Sequence, residues 1–367
     1  MTSEFAAAHD ELRAVARDLL PKVAGADAAW SRFAAAGWLG LEVPAPLGGA
    51  GATFAEVAVV LEEMGRAATP GPFLGTVALG VGALGLAAPG DARDALLGAV
   101  ASGDARVAVA LDGHGAGAGP PPFRLTGGDG GDGFRLTGEA AFVPDAEAAE
   151  HLLLPALGPD GAPVLVHAGP DGPRPAVTPQ PVLDATRRLA TVAADGLAVP
   201  AGAVWRLAAP GEGFGPLALR AAVAVACDSV GVAAAMLDAT VAYAGARRQF
   251  GRPIGSFQAV KHACADMLVA STVARALVAV AVEGIAAGRP DAAAVARAKA
   301  HATATAVDVV GTALQLHGGI GYTWESGVHA YLKRAALDRS LYGSPRAHRR
   351  RLAASFADGP GGAPVVG

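Results

Sequence analysis

The chain has 367 residues, which is enough for two or three domains with substantial cores. Hydrophobic residues make up 52% of it and charged residues 17%, as expected for a densely packed globular protein. The formal net charge of −4 gives no reason to expect nucleic acid or an anionic membrane as a partner. The apolar stretches are interrupted by Arg, Asp or Gly, and no basic segment precedes an apolar core at the N-terminus. We therefore expect a cytoplasmic protein without a signal peptide or a membrane span.

Cysteine and histidine give no sign of a disulfide framework or a metal site. The only cysteines, Cys227 and Cys264, lie far apart inside predicted helices. The nine histidines show no spacing typical of metal ligands. We expect two small, buried, free thiols in a reducing compartment, and no metal.

Three zones of different composition predict an α+β protein. Residues 1–103 are expected to form an N-terminal helical domain, with helices at 4–20, 26–36, 53–65, 76–86 and 92–101. Residues 104–212 contain short β-like runs between frequent Pro and Gly, which predicts a middle antiparallel β domain. Residues 213–357 are helical again, with long periodic segments at 217–247, 257–287, 291–317 and 324–341 that predict a four-helix bundle. The Gly- and Pro-rich residues 358–367 are expected to be a disordered tail.

The β-like runs in the middle zone lie at 107–111, 151–154, 163–167 and 189–192. The string FRLTG also occurs twice, at residues 123–127 and 134–138, around the sequence GDGGDG. Two alternating runs about a Gly/Asp turn predict a β-hairpin, and drift in a low-complexity segment is the alternative.

The stretch RRQFGRPIGSFQAVKHACADM, residues 247–267, is the most informative part of the chain. It predicts the end of one helix, a turn at residues 251–255 and a second helix that begins near Ser256, whose hydroxyl is expected to act as the N-cap. Arg247 and Gln249 would then lie at the end of the first helix, where both side chains can reach a phosphate or a polar ring. An ordinary helical hairpin with a charged turn is the alternative.

Two motifs support a more specific interpretation. Residues 247–258 contain Arg-x-Gln-Phe-Gly-x-Pro-Ile-x-x-Phe-Gln, and residues 315–322 read Gln-Leu-His-Gly-Gly-Ile-Gly-Tyr. Both resemble the C-terminal-domain signatures of the acyl-CoA dehydrogenase family, in the family's order and at its expected spacing. The resemblance covers most of the chain, and it implies the family's fold of N-terminal helices, a β domain and a four-helix C-terminal domain.

The resemblance also implies a cofactor and the residues that hold it. In this family FAD lies between the β domain and the C-terminal bundle, and its adenosine end crosses into the neighbouring subunit. An arginine fork suits phosphate oxygens, and glycines let the backbone approach the cofactor. By this resemblance the chain contacts a neighbour's FAD through Arg247, Arg248, Gln249, Phe250, Phe257, Gln258, Gln315, Gly318 and Gly319.

The residues that the family uses for its own flavin ring are absent. The β domain of the family carries Thr-Glu-Pro-x-x-Gly-Ser-Asp, whose hydroxyls bind the ring, but residues 110–115 here read Ala-Leu-Asp-Gly-His-Gly. The family's Trp-Ile-Thr, which stacks on the ring and donates to its N5, corresponds to Phe142, Val143 and Pro144. Phe142 is still able to stack, but proline has no proton to donate.

The catalytic base is also missing. Removal of the α proton of a thioester requires a carboxylate, while hydride leaves the β carbon for the flavin. Most of the family supplies a glutamate in Tyr-Glu-Gly, where this chain has Gly343, and some members supply it on the first C-terminal helix, where this chain has Ala221. Asp228 and Asp338 are the nearest carboxylates, and we interpret both as solvated or paired helix residues.

Three functions remain open at this point. The chain is a subunit of a mixed assembly whose related partner supplies the base, or a self-sufficient flavoenzyme with another base or chemistry, or a scaffold without catalytic activity. The resemblance implies an acyl-CoA substrate, a dimer or tetramer with a homologous subunit, and an electron-transfer flavoprotein or similar acceptor in lipid metabolism.

Overall fold

The structure is a computed structural model that describes residues 3–23, 25–115, 119–127 and 133–357. Its contacts divide the chain into two compact units. The first unit contains the residues up to Val57 together with Pro70–Ala221, and the second contains Ala58–Thr69 together with the residues from Ala222 onward. The three domain boundaries expected from composition stay a prediction, and the expected disordered tail lies outside the described residues.

The N-terminal zone is helical, as the periodicity predicts. Each helix ends within a few residues of its expected limits, except that part of the fourth is a π-helix, Phe73–Val81, whose nine residues are all buried. The periodicity could not predict this widened turn, because the segment is apolar on every side. The α-helices of this zone are α1 (Ser3–Leu19), α2 (Ala26–Ala35), α3 (Phe54–Ala67), α4 (Gly82–Leu86) and α5 (Asp91–Ser102).

The middle zone forms one eight-stranded sheet within the first unit, and its strand order is β6-β7-β3-β2-β4-β5-β8, with β1 beside β4. Its apolar side chains form a shared core that includes Phe123, Leu136 and Leu154. The strands are β1 (Val107–Val109), β2 (Phe123–Gly127), β3 (Phe134–Pro144), β4 (His151–Leu157), β5 (Pro163–Ala168), β6 (Ala176–Gln180), β7 (Leu189–Val199) and β8 (Val204–Arg206).

The sheet is mixed, which corrects the expectation of a purely antiparallel domain. Strands β1 and β2 both pair with β4 in parallel, and the other pairings are antiparallel. Residue alternation predicts a strand but not its partner, so this difference could not be read from sequence. The predicted FRLTG hairpin is confirmed, with Leu125 opposite Leu136, and the residues 128–132 of its turn lie outside the described part.

The C-terminal zone contains the four predicted helices and a fifth. The fifth helix was missed because its sequence is rich in arginine and has a weak apolar pattern. Strands of two residues each, β9 and β10, separate the first two helices. The elements are α6 (Gly215–Ala246), β9 (Arg248–Gln249), β10 (Arg252–Pro253), α7 (Gln258–Ala286), α8 (Ala292–His317), α9 (Val328–Ser340) and α10 (Pro345–Ala357).

The second unit has its own core, where α6, α7, α8 and α9 pack through residues such as Val232, Met267, Val310 and Ala335. Both cysteines are free, and Cys227 is buried as predicted, whereas Cys264 is only half-buried, which corrects the expectation of a buried thiol there. Among the described residues no group of three or more His, Cys, Asp or Glu side chains could hold a metal ion.

Helices α6 and α7 are long and apolar enough to cross a membrane by length and composition alone. The apolar window of α6 is 89% buried inside the protein, which is typical of a core helix, whereas that of α7 is only 17% buried. Composition therefore does not exclude a membrane span by itself, and its absence stays a prediction.

Candidate cofactor-binding site

The motif that contains Arg247 forms a tight, exposed elbow between α6 and α7. Strands β9 and β10 pair antiparallel, with Gln249 opposite Arg252. The two residues between them, Phe250 and Gly251, have φ angles of 51° and 80°, as a two-residue hairpin turn requires. Glycine meets this requirement without strain, whereas the phenylalanine is held in the left-handed region by the paired strands.

Arg247 follows the last residue of α6, so this helix ends one position earlier than predicted. Its backbone closes the elbow, because its N–H donates to the Tyr243 carbonyl and its own carbonyl accepts from the Ile254 N–H, both at 2.8 Å. Its side chain is exposed and has no hydrogen-bond or ion-pair partner among the described residues. A guanidinium that is positioned by its backbone but unpaired is available to an anionic ligand.

The neighbouring side chains are partly used within the elbow. Arg248 donates to the Gly251 carbonyl at 2.8 Å, and the Gln249 amide donates to the Arg248 carbonyl at 3.0 Å. The Phe250 ring is 91% exposed and meets Phe257 edge to face, with ring centroids 6.1 Å apart. Apart from this edge contact, the ring on the hairpin tip is open to solvent and offers a surface for contact with another molecule.

The second helix begins later than predicted, and Ser256 is not its cap. Helix α7 starts at Gln258, and Phe257 occupies the N-cap position without a side-chain hydrogen bond. The Ser256 hydroxyl instead donates to the Pro253 carbonyl at 2.7 Å, within a short 3₁₀ turn. Serine was assigned from its capping preference, but the proline-directed turn extends through this position and uses the hydroxyl itself.

The second motif lies at the end of α8. Gly318 has a φ of 61°, and a short 3₁₀ helix, Gly318–Tyr322, follows. A Cβ added to Gly318 or Gly319 would meet no atom within 4 Å, so both glycines face open space. Gln315, on the last turn of α8, is exposed beside them. A ligand can therefore approach this backbone closely from outside.

Two residues that sequence reasoning missed join the motifs. The rings of Tyr243 and His317 stack, with centroids 4.4 Å apart and planes inclined by 19°. The Tyr243 hydroxyl donates to the His317 carbonyl at 3.3 Å, and His317 Nδ1 donates to the Ala313 carbonyl at 2.7 Å. Tyr243 precedes Arg247 by four residues, one helical turn, so its position was a usable signal. The contact brings the Arg247 end of α6 beside the glycines after α8.

These residues fit the adenosine and pyrophosphate end of FAD, the group that the resemblance implies. The elbow carries Arg247, Arg248 and Arg252 within six residues and no carboxylate, so its potential is positive. Arg252 lies over the Phe257 ring, 4.1 Å from its centroid, which fixes one of the three guanidinium groups. The unpaired Arg247 guanidinium, beside two further arginines and open glycines, gives the kind of donor set that a pyrophosphate requires.

Neither family position for the catalytic base holds a carboxylate. Ala221 is fully buried in α6. Gly343 has a φ of 96°, where glycine is favoured, and its carbonyl accepts from Lys299 Nζ at 3.1 Å. The turn that carries the glutamate in most of the family is thus held by a buried lysine.

The nearest carboxylates are committed to structural interactions. Asp228 is fully buried and binds Arg334 through both oxygens, at 2.6 and 2.8 Å. Asp338 is also fully buried and accepts from the Ser229 hydroxyl at 3.3 Å. Burial lowers the pKa of Lys299 to about 7, and the charge of Asp338 opposes this shift. The interpretation of both aspartates as paired is confirmed, whereas solvation is wrong, because neither is exposed.

Comparison with known proteins agrees with these features. The family model for the acyl-CoA dehydrogenase N-terminal domain matches residues 1–104, and that for the C-terminal domain matches residues 219–357. The acyl-CoA dehydrogenase IpdE2 of Mycolicibacterium smegmatis is 36% identical over 86% of this chain and 83% of its own length. IpdE2 of Mycobacterium tuberculosis is 34% identical over 87% of this chain and 83% of its own length.

Solved structures show the same fold. A variant of the Tcur3481–Tcur3483 steroid ACAD superposes with a TM-score of 0.83 at 31% identity, covering 96% of this chain and 98% of that one. The ChsE4–ChsE5 complex from Mycobacterium tuberculosis gives a TM-score of 0.84 at 27% identity, covering 98% of this chain and 99% of that one. The predicted α+β fold class is confirmed. The two family models and the close curated relatives together show that this chain belongs to the acyl-CoA dehydrogenase family of FAD-linked oxidoreductases.

Proposed function

We propose that this chain is one subunit of a mixed acyl-CoA dehydrogenase, in which a homologous partner supplies the catalytic carboxylate. The partner's carboxylate would remove the α proton of an acyl-CoA thioester, and FAD, when bound, would supply the acceptor for the β hydride. This chain lends the partner's FAD the residues Arg247, Arg248, Gln249, Phe250, Phe257, Gln258, Gln315, Gly318 and Gly319.

One observation carries this proposal. The chain has no carboxylate at either family position for the base, yet its Arg247 guanidinium is exposed and unpaired among the described residues. A self-sufficient enzyme requires the base, and a scaffold has no use for an unpaired guanidinium beside open glycines. Loss of a positioned base costs about 10²–10⁴-fold in rate, so the isolated chain is expected to be nearly inactive.

The surface of α7 supports association with another protein. The solvent-facing half of a helix is ordinarily polar. Here it carries Leu268, Val269, Val273 and Val280, which are 54%, 64%, 43% and 58% exposed. We name these four residues the α7 apolar face. Its occupant in this proposal is the homologous subunit, and two similar solved structures are named as pairs of chains.

The proposed substrate and electron acceptor rest only on the similarity of this chain to known proteins. One similar structure is named a steroid ACAD, so we propose a steroid-derived or similarly bulky acyl-CoA. An electron-transfer flavoprotein or a similar acceptor would reoxidise the flavin. The assembly, a dimer or tetramer, would act in lipid metabolism in the cytoplasm.

Two other functions remain as alternatives, a flavoenzyme with another base and a scaffold without activity. Purification of the chain alone, with and without added FAD, distinguishes the first from our proposal, since we expect little bound flavin and no turnover. Co-expression with a related chain that has an intact Tyr-Glu-Gly should give a coloured complex that oxidises acyl-CoA thioesters. Ordinary turnover by the isolated chain, or a stable but inactive and flavin-free complex, would contradict the proposal.

A further inference from the structure

The chain contains a second set of residues that correspond to a flavin site, namely those that would hold an isoalloxazine ring of its own. We call residues 110–115 and 142–145 the ring half-site. Resting on the proposed function, we propose that the ring half-site does not accept a flavin, so the assembly binds one FAD for every two chains.

Four of the six backbone donors of the first ring half-site segment are already used, and that of Leu111 binds the Val109 carbonyl at 2.8 Å. The Ala110 N–H donates to the Leu153 carbonyl at 2.8 Å, and the Gly113 N–H donates to the Ala141 carbonyl at 2.9 Å. The His114 N–H donates to the Asp112 carboxylate at 3.2 Å. A flavin ring would have to displace these bonds to obtain a donor from them, and each lost bond costs about 0.5–1.5 kcal/mol.

The second segment is closed in the same way. The Phe142 N–H donates to the Gln180 side-chain oxygen at 2.6 Å, which holds Phe142 at a φ of 53°. Pro144 has no N–H, and the Asp145 N–H donates to the Arg188 carbonyl at 2.9 Å. The donor that the family directs at flavin N5 is therefore absent, and the amides of Phe142 and Asp145 are occupied.

Hydroxyl groups do not replace these donors. Neither segment contains a Ser, Thr or Tyr hydroxyl. The one ring able to stack on a flavin, Phe142, is in contact with His114, with centroids 4.4 Å apart and planes perpendicular at 86°. The ring half-site thus presents to a ligand a phenylalanine that already has an aromatic neighbour.

The charge beside the ring half-site is unfavourable to a pyrophosphate. A cavity of about 440 Å³ adjoins Leu111, Asp112 and Gly115. Among its described lining residues Asp112 and Glu212 are acidic, and none is Lys or Arg. The contrast with the arginine-rich elbow of the same chain is clear, since the elbow attracts phosphate and this cavity repels it.

The test is a count of flavins in the co-purified complex. FAD is released by heat and measured by its absorbance against the protein mass, and we expect one FAD for every two chains. Phe142→Ser in this chain should leave that number unchanged, and substitution of the corresponding aromatic residue in the partner should lower it severalfold. One FAD for each chain, or loss of half of the flavin in Phe142→Ser, would overturn the inference.

The same preparation separates this inference from the proposed function. If flavin content survives Arg247→Ala while the ratio stays at one FAD for two chains, the lending role of this chain is wrong but the closed ring half-site is right. If Arg247→Ala removes flavin from a complex that holds one FAD for each chain, the lending role of this chain is right, but the closed ring half-site is wrong.

Discussion

Tyr243 and His317 stack ring on ring at 4.4 Å, and the tyrosine hydroxyl donates to the histidine carbonyl at 3.3 Å. Tyr243 lies four residues before Arg247, and His317 directly precedes Gly318. We propose that the segments at Arg247 and Gly318 both contact FAD. The pair therefore holds together two segments, proposed to bind the cofactor, that are about seventy residues apart in sequence.

Removal of this stack should loosen both segments. We expect Tyr243→Ala to lower the free energy of unfolding by about 1–3 kcal/mol, since the ring is half-buried, and to lower flavin retention by the complex. Tyr243→Phe keeps the stack and loses one long hydrogen bond, so its cost should stay within about 0.5–1.5 kcal/mol. Urea unfolding and flavin absorbance measure both effects. Equal flavin loss in the two variants would mean that the ring stack itself does not contribute to flavin retention.

The α7 apolar face predicts where the partner binds. Val269→Asp together with Val273→Asp should separate the complex into its chains, because two carboxylates would have to be desolvated in the interface. The fold of the isolated chain should change little, since both side chains are exposed. Light scattering of the co-purified complex gives the mass. Ala336→Asp, on the exposed side of α9, is the matched control, and a complex of unchanged mass in the α7 variant would exclude this face.

Stability should fall in acid because of a histidine pair in the β-sheet. His151 Nδ1 and His167 Nε2 are 2.9 Å apart, and His167 also stacks on Trp205. Burial, and then the neighbouring His151, lowers the pKa of His167 from 6.5 to about 4. The unfolded chain therefore binds the proton more readily, so stability is complete above about pH 6.5 and is lost as the pH falls towards 4.

His167→Gln should reduce this acid loss while its amide still reaches His151. The loss should not disappear, because burial also lowers the pKa of His348 to about 4. Urea unfolding at pH 7 and pH 4.5 gives the difference, with His262→Gln at an exposed position of α7 as the control. An identical pH dependence in the wild type and His167→Gln would show that the pair does not titrate on unfolding.

A glutamate restored to the family position should not restore activity. Gly343 has a φ of 96°, so any side chain there adds backbone strain of about 1–3 kcal/mol. Gly343→Glu and Gly343→Ala should therefore lose similar stability, and neither should oxidise acyl-CoA as an isolated chain. Thermal unfolding and a thioester oxidation assay check this. Robust turnover by the isolated Gly343→Glu chain would contradict the division of labour between subunits.

The sequence predicts most helices and strands of this protein because their apolar periodicity is strong. It could not predict that β1 and β2 run parallel to β4, because pairing depends on distant segments. It also missed α10, whose arginine-rich sequence has little apolar pattern, and the use of Ser256 by the Pro253 turn. The elbow and the glycines after α8 were found from motifs, whereas the Tyr243–His317 stack depends on the packing of α6 against α8.

The central claim is that this chain lends a guanidinium to FAD held by its partner, and Arg247→Ala tests it most directly. A charge-assisted contact is worth about 1.5–3 kcal/mol, so flavin affinity of the complex should fall about tenfold to a hundredfold. Folding should change little, because the side chain is exposed. Arg247→Lys should retain part of the affinity through its charge, and Arg346→Ala, an exposed arginine on α10, should retain all of it. Flavin titration of the apo-complex gives these affinities, and an unchanged affinity in Arg247→Ala would contradict the claim.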